Sequence, residues 1–341
     1  MSRQYKTTIT SVWLLAVGFI IINGLVALRL IDEYTTQVLT IGGINVIIAL
    51  SLNLISGFTG QLAFGHAGFM AVGAYTTAAL IMQLNVPTFL AILAGGLMSA
   101  LFGLVIGLPT LRLHGDYLAI VTLGFGEIIR VIMINLSDIT GGPAGLKGIP
   151  PFTTNFFWRP VLSFALVQLF LILVIIMLSN LIKSSPGCAI ISVREDEIAA
   201  NAMGINVFYY KIFAFTLSAF IAGLGGGLYA PFFGYLNPNM FNFLKSVEFL
   251  IIVVLGGMGN ITGTVLAGFG LTYLQEFLRF LKDYRLVIYP LILILMMLFQ
   301  PAGLMGIFGN KEFSLTGFVR NLKRKQIFRR RSASDKAGDH Q

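Results

Sequence analysis

The sequence predicts an all-α polytopic membrane protein with about ten transmembrane helices, some of them broken or short. Three observations predict it. The chain of 341 residues is 56% hydrophobic and only 11% charged, against about 25% charged residues in a soluble domain. Its apolar runs repeatedly reach the ~20 residues needed to cross a bilayer. Lys and Arg gather in alternate connections between those runs.

Taken in order, the candidate spans are 9–31, 38–56, 61–82, 88–108, 117–136, 161–182, 210–230, 247–257, 264–281 and 286–300. The first is too long for the apolar region of a signal peptide, and no small-residue cleavage site precedes Asp32. The eighth is too short to cross alone and is expected to be a broken or re-entrant piece. This divides the chain into an N-terminal segment with the first helix (1–37), a core (38–308) and a basic tail (309–341), with no room for a soluble domain.

Orientation follows from the cations. Arg3, Lys6, Arg112, Lys183, Arg194, Lys211 and the tail fall on one side if ten spans are crossed in order. The positive-inside rule makes that side the cytoplasm, with both termini there. Lys147, Arg159, Lys245, Lys282 and Arg285 fall on the other side, so the bias is not absolute. Residues 311–341 carry nine Lys/Arg against three Asp/Glu, +6 of the net +9. A nucleic-acid contact is one reading of such a patch; anionic lipid beside the membrane is the stronger one. The single cysteine, Cys188, cannot form an internal disulfide, and no metal-ligand cluster appears.

Small residues recur every fourth position: Gly95, Ser99, Gly103 and Gly107; Ala219, Gly223 and Gly227; Ala63, Ala67 and Ala71. Such stripes let helix backbones approach closely where lipid provides no hydrophobic drive for association. Two stretches, 56–75 and 255–268, interrupt the helical pattern with glycines and polar side chains. Irregular backbone at membrane depth must be buried in protein or line a watery cavity, and paired interruptions mark a translocation region. Gly-rich turns between spans are the plainer alternative. Gln61, His66, Asn260 and Thr262 are the polar path candidates there. Glu127 joins them: three residues before Arg130, it can share a helix face with that cation, a pair suited first to a subunit or cavity surface and second to substrate contact. A buried, hydrogen-bonded His66 is the alternative to a ligand-contacting one. Asp116 and Glu248 stand where they can cap the helices that follow.

Residues 183–211 are charged and set between apolar runs, a segment to be gripped by something in the cytoplasm. Pro186 and Gly187 interrupt the preceding helix. Arg194–Met203 reads as a short helix with Glu195, Asp196 and Glu197 in its first turn, where acids suit the dipole, and Gly204 stops it.

Several runs in order complete the picture: LSLNLISGFTGQLAFGHAGFMAVGAY, GDYLAIVTLGFGEIIRVIMIN, TGGPAGLKGIP, REDEIAANAMGIN, YYKIFAFTLSAFIAGLGGGLYA, EFLIIVVLGGMGNITGTVLAG and FQPAGLMGIF. Together they resemble the permease family of bacterial branched-chain amino acid ABC importers, specifically the LivM-type subunit, over about residues 38–308. The resemblance implies an ABC importer permease architecture with no cofactor. The implied partners are a second homologous permease, two cytoplasmic ATPase subunits and an extracytoplasmic solute-binding protein. It also makes 183–211 the loop that couples to an ATPase, through Arg194, Glu195, Asp196, Glu197, Ala199, Ala200 and Gly204. In the general importer motif a Glu-Ala-Ala run precedes a glycine; here Ile198 occupies the Glu position, after Glu197. Cys188 and Ile191 replace the small and basic residues that related sequences often carry there.

Leucine, isoleucine and valine are the substrates the resemblance implies, with urea, short amides or other amino acids as the alternative. An ion-coupled secondary transporter would favour cavity-facing carboxylates, which this chain has in small number. No Ser-His-Asp arrangement and no Walker-type phosphate loop occurs, which argues against an enzyme or an ATPase.

Overall fold

In a computed structural model the described residues are 32–113, 115–153 and 159–280, with Ile288, Leu291 and Ile294. The main helices are α1 (Glu33–Leu52), α2 (His66–Leu84), α3 (Thr88–Thr110) and α4 (Asp116–Asn135). A single turn, α5 (Ser137–Thr140), follows, and then α6 (Arg159–Lys183), α7 (Ser185–Glu195) and α8 (Glu197–Ala202). The series ends with α9 (Val207–Phe233), α10 (Phe243–Gly256) and α11 (Ile261–Phe277). Six of these helices, α1 to α4, α6 and α9, are long and apolar enough to cross a membrane. The predicted eighth and ninth spans are α10 and α11, of 14 and 17 residues. The predicted first span, most of the tenth and the tail lie outside the described residues.

The centre of the bundle is α9, packed on α3, α2 and α1. The reason is the small residues. A Cβ on Gly103 would collide with the Ala219 methyl, one on Gly223 with Ser99, and one on Gly73 with the Gly223 backbone. Ser99 lines the same seam and donates to the Phe69 carbonyl at 3.0 Å. Two of the three stripes therefore face each other. The third does not lie on one helix, because Ala63 precedes α2. On its opposite face α3 exposes Leu90, Leu97, Leu101, Leu104 and Leu108, the side that suits lipid or another apolar surface.

The two predicted interruptions, 56–75 and 255–268, are present only in part, since 66–75 and 261–268 are helical. The helix of α1 widens into a π turn over Asn53–Phe58, in which the Thr59 amide reaches back five residues to Leu54 O at 3.2 Å. Residues 59–65 are non-helical before α2 begins. His66, the first residue of α2, bonds Ser218, which bonds the Ser51 carbonyl. The start of α2 is thus level with Ser51 rather than with Gly57, about two turns further along α1, so the extended stretch doubles back into the bundle. The second interruption is the tight turn 257–260 between α10 and α11.

Contacts define the two ends. At one end Arg194 meets Gly57, Asn53 meets Gly259, and Arg112 lies 5.7 Å from the Phe208 ring centre. At the other, strands β1 (Leu146–Lys147) and β2 (Tyr235–Leu236) pair antiparallel, Leu146 with Leu236 and Lys147 with Tyr235. This ladder joins the 137–149 loop to the α9–α10 connection as a small cap, with Asn237 Nδ2 donating to Pro143 O at 3.3 Å.

Candidate functional site

The 183–211 segment is a compact two-helix module rather than one helix with flanking loops. Ser184 ends α6 and caps α7, accepting from the Gly187 amide, and Pro186 sits in the first turn, where its missing N–H costs nothing. The predicted helix 194–203 is in fact divided. Asp196 adopts an extended backbone (φ −160°, ψ 112°) and its Oδ1 accepts from the Ile198 and Ala199 amides at 2.8 and 3.0 Å. Arg194 and Glu195 therefore close α7, while Glu197 opens α8. The side-chain cap offered by Asp196 outweighs helix continuity at this point. Gly204 ends α8 with φ +83°, as its position predicts, and a Cβ there would meet nothing within 4 Å.

The predicted coupling residues divide by direction. Arg194, Glu195, Asp196, Ala199 and Gly204 are exposed. Ala200 is buried, so it packs within the chain and offers no surface to a partner. Glu197 Oε1 pairs with Lys211 Nζ at 2.6 Å, and the Lys211 side chain is only 4% exposed, so this pair holds α8 against the first turn of α9. Arg194 stays exposed as a residue, while its Nη1 donates to Gly57 O at 2.7 Å. The exposed surface is mixed: Arg194, Glu195, Asp196 and Asn201 stand beside two large apolar side chains. Ile198, on the six-residue α8, and Met203, its C-cap, are 84% and 82% exposed. Their sequence signal was there: Ile198 stands at an acidic position of the general motif and Met203 just before the stopping glycine.

The path candidates do not converge. His66 is fully buried. Its Nε2 lies 2.9 Å from Ser218 Oγ, and Ser218 uses its single hydrogen on Ser51 O at 2.6 Å. Nε2 must then be the donor, which assigns the ring tautomer and makes His66 a buried tie between α2, α9 and α1. Asn260 caps α11, its Oδ1 accepting from the Gly263 amide at 3.0 Å and from Thr262 Oγ1 at 2.8 Å. Both residues belong to the turn at the Arg194 end. Gln61 is buried, and neither atom of its amide group finds a partner among the described residues. Glu127 does pair with Arg130 (2.7 Å), and it also accepts from the Phe243 amide at 3.2 Å, while Arg130 donates to Asn239. The pair thus fastens α4 to the start of α10.

Two predicted caps differ as well. Asp116 is the first helical residue of α4, after Gly115, and makes no capping bond. Glu248 lies inside α10, paired with Lys245 at 2.9 Å, because Asn242 takes the cap and starts the helix earlier. A cavity of about 360 Å³ opens among Glu33, Thr36, Gln37, Thr40, Arg159, Ser163 and the end of α9. It contains none of the predicted path residues.

The profile of the family described as "Branched-chain amino acid transport system / permease component" matches residues 34–299. The chain is 36% identical to the high-affinity branched-chain amino acid transport system permease protein LivM of Escherichia coli over 301 residues, 81% of this chain and 71% of that one. It is 24% identical to the corresponding LivH of Escherichia coli over 78% of this chain and 92% of that one. It is 26% identical to BraD of Pseudomonas aeruginosa over 79% and 93%. No solved structure matches. The profile spans α1 to α11 and both interruptions, and the chain belongs to the permease-component family of branched-chain amino acid transport systems.

Proposed function

We propose that this chain carries branched-chain amino acids through the plasma membrane as the LivM-type half of a heteromeric permease. Two ATPase subunits drive it from the cytoplasm and a solute-binding protein supplies it from outside. The observation that carries this reading is the α7–α8 module: a surface helix with an exposed Ile198 and Met203, fastened to the bundle by Lys211–Glu197 and Arg194. An apolar knob on a short, rigid helix suits insertion into a groove on a partner. Lys183 and Lys211 flank the module, Arg112 lies at the same end of the bundle, and cations favour the cytoplasmic face. The cap built on β1 and β2 lies at the opposite end, where a binding protein would release its ligand.

The test is reconstitution of the whole importer in liposomes. Leucine uptake that requires ATP, the binding protein and this subunit together supports the reading. Concentrative leucine uptake by liposomes holding this chain alone would overturn it. Gly204→Arg provides the local check: bulk beside Ile198 and Met203 should strip the ATPases from the purified complex.

A further inference from the structure

Arg194 occupies a cradle made of glycine. Its Nη1 donates to Gly57 O at 2.7 Å, on the widened last turn of α1. A Cβ on Gly60 would lie 3.0 Å from Arg194 Cγ, and one on Gly259 2.8 Å from Nη1. Both glycines have positive φ, +74° and +80°, so any other residue there would be strained as well as crowded. The cradle therefore takes one strand of its wall from each interruption: Gly57 and Gly60 from the α1–α2 break, Gly259 from the α10–α11 turn.

Asn53 completes the node one turn before Gly57. Its Oδ1 accepts from the Gly259 amide at 2.8 Å, and its Nδ2 donates to Thr264 Oγ1 at 2.9 Å and to Asn260 O at 3.2 Å. One guanidinium and one carboxamide thus join three elements far apart in sequence: the end of α7, the break after α1 and the turn before α11. The electrostatics favour the arrangement, because a cation at the carbonyl end of a helix opposes its dipole. The resemblance implied a docking role for Arg194; the residue is exposed, yet its Nη1 is engaged by the Gly57 carbonyl of the membrane domain.

We propose that Arg194 is the positioning residue that transmits movement of the α7–α8 module into both interrupted segments, so that ATP hydrolysis on a partner changes the path. This rests on the importer reading above. If α8 is displaced, α7 carries Arg194 with it. The bond to Gly57 then either drags the α1–α2 break and, through Asn53, the α10–α11 turn, or it is lost.

The experiment uses the complete importer in proteoliposomes and measures two quantities: ATPase subunits retained on purification, and ATP hydrolysed per leucine imported. Arg194→Ala should keep both ATPases and continue hydrolysis, while the ATP consumed per leucine rises about tenfold, the scale of losing one charge-assisted hydrogen bond. Arg194→Lys keeps a cationic donor and the stem over Gly60, and should recover part of the coupling. Gly259→Ala, which presses a methyl on Nη1, should raise the ratio from the other side of the node, and it carries the measurement if the Arg194→Ala subunit itself does not fold into the membrane. An unchanged ratio overturns the proposal, whether both rates stay normal or fall together as in a merely weakened fold. So does loss of the ATPases from Arg194→Ala, which would make Arg194 a docking residue and leave the importer reading intact. The importer reading fails separately if liposomes holding this chain alone concentrate leucine, and the docking assignment of α8 fails if Gly204→Arg retains both ATPases and full uptake.

Discussion

At the scale of single residues, burial decides what each charge does. Lys211 is nearly inaccessible and Glu197 is its partner at 2.6 Å. Removing the acid leaves a desolvated ammonium without compensation, whereas removing the lysine leaves an acid that water still reaches. Glu197→Ala should therefore lower the thermal stability of the purified subunit more than Lys211→Met, by about 1–3 kcal/mol once the partial exposure of Glu197 is allowed for. Adding Lys211→Met to Glu197→Ala should restore most of it; a double variant no more stable than Glu197→Ala alone would refute the argument. His66 obeys the same logic. Ser218→Ala removes the acceptor of a fully buried N–H and should cost about 1–3 kcal/mol in chemical denaturation.

At the scale of elements, the seam between α3 and α9 and the surface of α8 show opposite uses of side-chain size. Gly103→Leu would drive a side chain into Ala219 on a central helix. It should prevent stable accumulation of the chain in the membrane, as read by quantitative immunoblotting. Ile198→Asp should leave accumulation unchanged and weaken ATPase retention about tenfold or more, since burying an isoleucine contributes about 1.5–3 kcal/mol; normal retention would exclude α8 as the docking surface. Two of the three stripes were legible in the sequence because close helix packing imposes a fourfold spacing on residue size; the third was not, since Ala63 lies before α2. The interruptions were legible because glycine and polar side chains cluster where helices stop. The division of 194–203 at Asp196 was not, because an acid in a first turn and an acid at a cap look alike until backbone angles are known. Nor was the burial of Ala200 beside the exposed Ala199, since nothing in an Ala-Ala pair says which methyl faces inward. The Arg194 bond to Gly57 and its closeness to Gly259 join residues distant in sequence, and no local pattern carries them.

At the scale of the whole molecule, the distribution of charge along α4 and α10 bears on assembly. Glu127 and Arg130 lie in the second half of α4, a helix apolar enough to cross a membrane, with side chains 33% and 26% exposed. Lys245 and Glu248 lie nearby on α10, both 23% exposed. Each pair is internally matched, yet neither is shut away from its surroundings. Hydrocarbon against such a face is costly: about 2.5–3.5 kcal/mol for a charged residue near a helix centre, even with the relief that insertion allows. Another permease or water is the better neighbour, and the family to which the chain belongs includes LivM and LivH, two distinct permeases of one kind of system. We therefore expect the face of α4 and α10 to be covered in the assembled permease. Replacing Glu127 and Arg130 together by leucine should make the chain expressed alone accumulate better in membranes, because the isolated subunit then presents an apolar surface to lipid. The same double variant should lower recovery of the two-permease complex, because it replaces the polar groups on the face that the partner permease is expected to cover. Quantifying the chain with and without its partner permease separates the cases. Reduced accumulation of the lone double variant would place these pairs inside the stability of the single chain, and this face would then not be the one the second permease covers.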